Sequence, residues 1–180
     1  DFQSLGIGMS SVGATAHQAG FTLSETASAM GILSNNGLEA DKAGTGLRKV
    51  IQSLITPTAN GKKALDSINL STKDFLTKSG KLKSMSSIFA TLNKHMKGLS
   101  GSKKNDIFHA LFGTTGQQAG AILTDNANRL RELNKEVERS VKNDYIGDLS
   151  KKNLTSPKAQ LAIFKESLTN AGMDMAKNVL

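Results

Sequence analysis

Apolar residues in this chain return every three or four positions, and the runs they form are closed by glycine. Phe2, Leu5, Met9, Val12 and Ala16 keep that interval before Gly20, and Met85, the adjacent Ile88 and Phe89, Leu92 and Met96 make a second such face before Gly98. A period near 3.6 puts such residues on one face of an α-helix, and that face needs a partner surface to cover it. The pattern commits the chain to a mainly α fold, a compact multi-helix module. The side chains available agree. Aromatics make up only 4% of the residues, with no Trp and one Tyr, so the core must come from Leu, Ile, Val, Ala and Met. A β-sandwich would draw on more aromatic and β-branched residues.

Local signals mark where the helices begin and end. Gly20 stands where a C′ residue is expected, and Thr22-Leu23-Ser24-Glu25 has the Thr-x-x-Glu form of a capping box, opening a second helix through about Asn35. Asn36-Gly37 ends it, and a third helix follows from about Glu39 to Leu54, before Pro57. A short helix is expected around Gly61–Ser67. Near 70–83, Phe75 and Leu82 flank Lys78-Ser79-Gly80-Lys81, which reads as a small β-hairpin turn. Ser84 opens the next stripe, and Ile107, Phe108, Leu111 and Phe112 share one face of a helix that Gly113 terminates.

After about residue 117 the character changes. Ile122, Leu130, Leu133, Val137 and Val141 form a thin apolar seam amid charged residues, with Glu132–Lys135, Glu136–Arg139 and Glu138–Lys142 at helical pairing distances. This predicts a longer, mostly exposed helix. Gly147 to Asn153 reads as a linker, and Ser156-Pro157 has the Ncap-N1 form of a helix start, followed by an amphipathic stripe from Leu161 to Val179. The expected organisation is a compact helical domain over 1–113, a charged helix over 114–146, and a linker with the start of a further helix over 147–180. The chain opens at Asp1 without an initiator Met and closes in mid-helix at Leu180, as expected of a piece of a longer polypeptide.

Gly44 and Gly46 interrupt the third helix, where Ala43, Leu47, Val50, Ile51 and Leu54 otherwise make a strong stripe. A glycine inside a helix costs about 1 kcal/mol relative to alanine, so two of them invite a reason. Three physical reasons present themselves: a close helix–helix approach, a helix start displaced to Thr45, or a backbone surface that receives a ligand. With Arg48 and Lys49 beside them, the glycines could face a phosphate at a helix N-terminus. The full Gly-x-x-x-x-Gly-Lys-Ser/Thr loop is missing, and close packing is the favoured reading. Gly44, Gly46, Leu47 and Gly113 are the candidate packing residues.

The net charge of +8 sits in one block. Residues 62–104 carry ten lysines against Asp66 and Asp74, while the segments on either side are close to neutral. Lysine without arginine argues against bidentate recognition of bases, but leaves non-specific attraction to a polyanion, with Lys94, Lys97, Lys103 and Lys104 as the candidate basic surface. A solvated lysine face is the plainer reading.

Motifs for chemistry are missing. His17, His95 and His109 stand apart without metal-ligand spacing, no Gly-x-Ser-x-Gly elbow occurs, and there is no cysteine. Gly6-Ile7-Gly8 has neither a preceding strand nor a third glycine at dinucleotide-binding spacing. No apolar run approaches the ~18 residues of a membrane span. These features predict a protein that is not an enzyme, with no cofactor and no metal.

The order of the motifs resembles the conserved region of phage tail tape measure proteins, also called minor tail proteins. Gln18-Ala19-Gly20 is similar to that family's Ala-Gly helix end, and Glu25-Thr26-Ala27-Ser28-Ala29-Met30-Gly31-Ile32-Leu33 to its Glu-Thr-Ala-x-x-x-Gly-Leu-Leu helix. Ala43-Gly44-Thr45-Gly46-Leu47-Arg48 resembles its Ala-Gly-Thr-x-Leu-Arg helix. Ala110-Leu111-Phe112-Gly113 resembles its Ile/Leu-Phe-Gly element. At Ser79-Gly80-Lys81-Leu82 a serine stands where the family more often has an acidic residue. The resemblance runs over nearly the whole chain, to the helix at Lys158–Gly172.

That resemblance implies a structural protein of the virion, present in the host bacterial cytoplasm during assembly. It also implies a long parent chain that occupies the tail tube lumen and sets tail length. The expected partners are the tail tube protein, tail assembly chaperones and tail tip proteins, together with self-association. Two other classes stay open: a helical protein that associates with nucleic acid through the 62–104 lysines, and a membrane-active module using the 161–179 stripe.

Overall fold

The computed structural model describes the backbone of residues 2–148 and the side chains of 6–139. Among the described residues seven α-helices follow one another: α1 (Phe2–Gln18), α2 (Leu23–Asn35), α3 (Ala40–Ile55), α4 (Ala59–Ser67), α5 (Met85–Met96), α6 (Gly101–Asp125) and α7 (Ala127–Asp148), with a 3-10 turn at Thr72–Phe75. The helix expected from Ser156 and its stripe from Leu161 to Val179 lie outside the described residues. α7 runs to Asp148, two residues into the stretch read as a linker.

The starts of four helices are set by hydroxyl caps. The side chains of Thr22, Thr58, Ser84 and Ser100 accept from the amides of Glu25, Gly61, Ser87 and Lys103, removing one orphan donor each. At the ends, Gly20 and Gly98 take φ of +88° and +87°, the left-handed conformation that stops a helix. The hairpin expected near 70–83 exists as a tight turn. Thr77 N–H donates to Lys81 O at 2.7 Å, Lys83 N–H donates to Phe75 O at 2.8 Å, and Leu76 and Leu82 make one antiparallel bridge. No strand grows from it among the described residues.

α3 is central. It packs on α1 on one side and on α6 on the other, and α2 also touches it. α2 in turn lies against α1, α6 and α7, which explains why every residue from Glu25 to Ser34 is buried. A helix built from Thr, Ala, Ser, Met, Gly, Ile and Leu has no charged face to offer water beyond Glu25, so neighbours cover it all round. One apolar cluster joins these elements, from Met9 and Val12 on α1 to Leu130, Leu133 and Val137 on α7.

α7 keeps its charged face in solvent, and its thin seam is covered by α2 and α5. On that face Arg129 reaches Glu132 at 4.0 Å and Glu136 at 3.9 Å, in place of the expected Glu132–Lys135 and Glu136–Arg139 pairs. The division expected at residue 113 falls inside α6, and the apolar cluster continues across it through Ala119, Leu123 and Ala127. A break does occur there in the backbone. Gly113 has φ 69° and ψ 179°, so α6 is two helical halves meeting at a corner.

Candidate functional site

The crossing of α1 and α3 is made by two glycines. A Cβ placed on Gly44 would run into the carbonyl oxygen of Gly8 and lie 2.9 Å from its Cα. On Gly8, a Cβ would lie 2.5 Å from Ala40 O and 2.6 Å from Met30 Cε. Neither position has room for a methyl group, so the two backbones approach as closely as glycine permits. Leu47, one turn beyond Gly44, is fully buried. Gly46 faces α6, where a Cβ would lie 3.0 Å from Ala119 Cβ. Both glycines of α3 are therefore buried against helices, with no open cleft beside them for a phosphate.

Gly113 does a different job. It is only half-buried, and a Cβ there would meet nothing closer than Lys49 Cε at 3.6 Å. What requires glycine is the backbone, because φ 69° with ψ 179° is a conformation essentially reserved for it. The corner is held by side chains from both halves of α6. Gln117 donates to Asn105 Oδ1 at 2.6 Å and its Oε1 lies 3.0 Å from His109 Nδ1. Twelve residues of straight helix would separate Asn105 and Gln117 by about 18 Å, out of reach of these side chains. Gly116 and Gly120 line the inside of the corner, where a Cβ on Gly120 would collide with the Phe112 ring.

The basic residues are placed elsewhere. Lys94 and Lys97 are exposed at the last turn and C-cap of α5, while Lys103 and Lys104 occupy the first turn of α6. The three histidines stay apart. His17 is exposed near the end of α1, His95 Nδ1 lies 2.8 Å from Ile68 O, and His109 belongs to the α6 corner. Among the described residues no group of His, Asp and Glu could hold a metal ion, and no helix is long and apolar enough to cross a membrane.

Among the described residues, two surface grooves stand out. One, of about 530 Å³, lies between the ends of α1 and α3 and is lined by Thr15, Gln18, Lys49, Gln52 and Thr56. The other, of about 370 Å³, runs along α4 past Lys62, Lys63 and Asp66 to Ser71. Neither brings a general base to a nucleophile.

Sequence reasoning singled out Gly44, Gly46, Leu47 and Gly113 but missed Gly8, Gly116 and Gly120. The Gly116-x-x-x-Gly120 spacing was a usable signal, since residues four apart share a helix face. Gly8 was visible only as half of a weak Gly-x-Gly. Its partner is 36 positions away, and no local pattern connects them.

Residues 1–113 match the family model described as phage-related minor tail protein. The chain is also 27% identical over 117 residues to a protein named tape measure protein from Pneumococcus phage Dp-1. That alignment covers 65% of this chain and 10% of the phage protein. The chain thus spans about a tenth of that relative's length. No solved structure matches it.

Proposed function

We propose a tail-length role for this chain, which belongs to the phage-related minor tail protein family. Membership makes it a structural component of a phage tail. The finer reading is that it is part of a tape measure protein whose long helical chain occupies the tube lumen and fixes how far the tube grows. The observation that carries this is the partial match to the Dp-1 tape measure protein, together with a body made of helices and short connections. A helix rises about 1.5 Å per residue, so the length of a mostly helical chain translates directly into distance.

The compact body described here is then a pre-assembly or tip-proximal module, or one that rearranges inside the tube. It would meet the tail tube protein, the assembly chaperones and the tip proteins at those stages.

The test is genetic and visual. In-frame deletion of a helical stretch from the parent reading frame should shorten the tails in electron micrographs by about 1.5 Å for each residue removed. Tails of unchanged length would overturn the reading. A map of the intact virion showing residues 2–148 extended along the lumen would leave only the rearranging form.

A further inference from the structure

The lysine block has two structural properties that its composition alone did not reveal. First, none of its ten lysines makes an ion pair among the described residues, whereas Arg129 on α7 makes two. Second, three of the ten stand where helices already carry partial positive charge, while Lys94 and Lys97 sit at the negative end of α5. Lys62 lies in the first turn of α4 and Lys103 and Lys104 in that of α6, and neither turn contains an acidic residue. Helix N-termini favour anions, so this arrangement concentrates positive potential instead of dispersing it.

The fold gathers these positions. His95 Nδ1 lies 2.8 Å from Ile68 O, which sets the C-cap of α4 beside the last turn of α5 and Lys94. A Cβ on Gly61 would lie 3.6 Å from Ala110 O, so α4 lies along the first half of α6. Lys97 to Ser100 then links α5 directly to α6. Lys62 and Lys63 on α4, Lys94 and Lys97 at the end of α5, and Lys103 and Lys104 at the start of α6 accordingly lie on neighbouring elements. Asp66, Asp106 and Asp125 are acidic residues nearby, the last beside Thr124, whose carbonyl accepts from Asn93 at 2.8 Å; all three are exposed and without an ion pair among the described residues.

We infer that this end of the molecule binds the phosphodiester backbone of nucleic acid without reading its sequence. The chemistry of the surface selects that ligand over others. Base readout calls for arginine forks or stacking aromatics, but the block contains no arginine, and Phe75, Phe89, Phe108 and Phe112 are all buried. Protein interfaces are enriched in aromatics and arginine and depleted in lysine, the reverse of what is found here. Insertion into a bilayer needs exposed apolar side chains, and the large ones, Ile7, Leu23 and Ile55, all lie outside the block. What remains is a broad array of lysine charges suited to a regular polyphosphate.

The test is a salt titration of duplex DNA binding by the full 180-residue chain. If four lysines contact phosphate, affinity should fall by about 100-fold between about 50 and 200 mM salt. Joint replacement of Lys94, Lys97, Lys103 and Lys104 by Gln should flatten the slope of log affinity against log salt by roughly 0.9 for each contacting lysine. The pair Lys62→Gln and Lys63→Gln should flatten it independently. Arg131→Gln with Lys135→Gln, on α7, should leave it unchanged, and circular dichroism should show every variant folded. An unaltered slope in folded lysine variants would overturn the inference, as would equal affinity for poly-glutamate or for anionic phospholipid vesicles.

Discussion

The backbone amide of Met85 donates a hydrogen bond of 3.0 Å to Glu25 Oε1, joining two residues sixty positions apart. The other oxygen of the same carboxylate, Oε2, accepts from Thr22 N–H at 2.8 Å. A single buried side chain therefore serves the starts of two helices, α2 and α5. The capping box that opens α2 is local chemistry. Its second bond turns that cap into a tertiary joint, in a place where water cannot satisfy the Met85 amide instead.

Replacing Glu25 by Ala should lower unfolding stability by about 2–4 kcal/mol, since one cap and one buried donor are both abandoned. Glu25→Gln keeps only one acceptor and turns an N–H toward the other amide, so it should lose part of that amount. Urea unfolding of the three proteins measures this. A loss below about 1 kcal/mol for Glu25→Ala would show that the joint is dispensable.

Alanine substitution should have opposite signs at two helical glycines. At Gly44 the new methyl meets the Gly8 backbone, which cannot move without separating α1 from α3, so Gly44→Ala should cost several kcal/mol. At Gly13, on α1, a Cβ finds nothing within 4 Å. Gly13→Ala should therefore stabilise the protein by about 0.5–1 kcal/mol through helix propensity alone. Thermal melts decide it, and an equal response at both sites would refute the packing role of Gly44.

The features legible in the sequence were those whose cause lies within a few residues. Thr22, Ser84, Gly20 and Gly98 marked helix ends because caps and left-handed stops act over three or four positions. The boundary at Asn126 carried no such mark. There an asparagine side chain closes α6 by donating to Ile122 O at 2.8 Å, with no glycine or proline to announce it. The meeting of Gly8 with Gly44, the second bond of Glu25 and the gathering of lysines around His95 and Ile68 depend on which helices become neighbours. Periodicity shows that a face is covered, but not by what.

Gly113→Ala should cost about 1–3 kcal/mol. Space is not the reason, since the nearest atom to the new methyl is Lys49 Cε at 3.6 Å. The loss would report backbone strain alone, or a straightened α6, which small-angle scattering would reveal as a larger radius. Unchanged stability and an unchanged radius together would contradict the assigned conformation.

The hydroxyls of Ser28 and Ser34 are buried on α2 without a hydrogen-bond partner among the described residues. Ser28→Ala removes a desolvated hydroxyl and improves helix propensity, so it should leave stability unchanged or raise it by up to about 1 kcal/mol. A loss greater than that in chemical unfolding would mean that the hydroxyl is satisfied in solution.

The corner at Gly113 also changes how residues convert into distance. A straight helix of 25 residues would carry the chain about 37 Å, but α6 turns at its midpoint and its two halves partly cancel. For any chain that measures a length by its own extent, residues spent on such a turn add mass without adding reach. The gauge and the knot must then be separate stretches of one polypeptide. Straightening this single glycine is the smallest change that would turn one into the other.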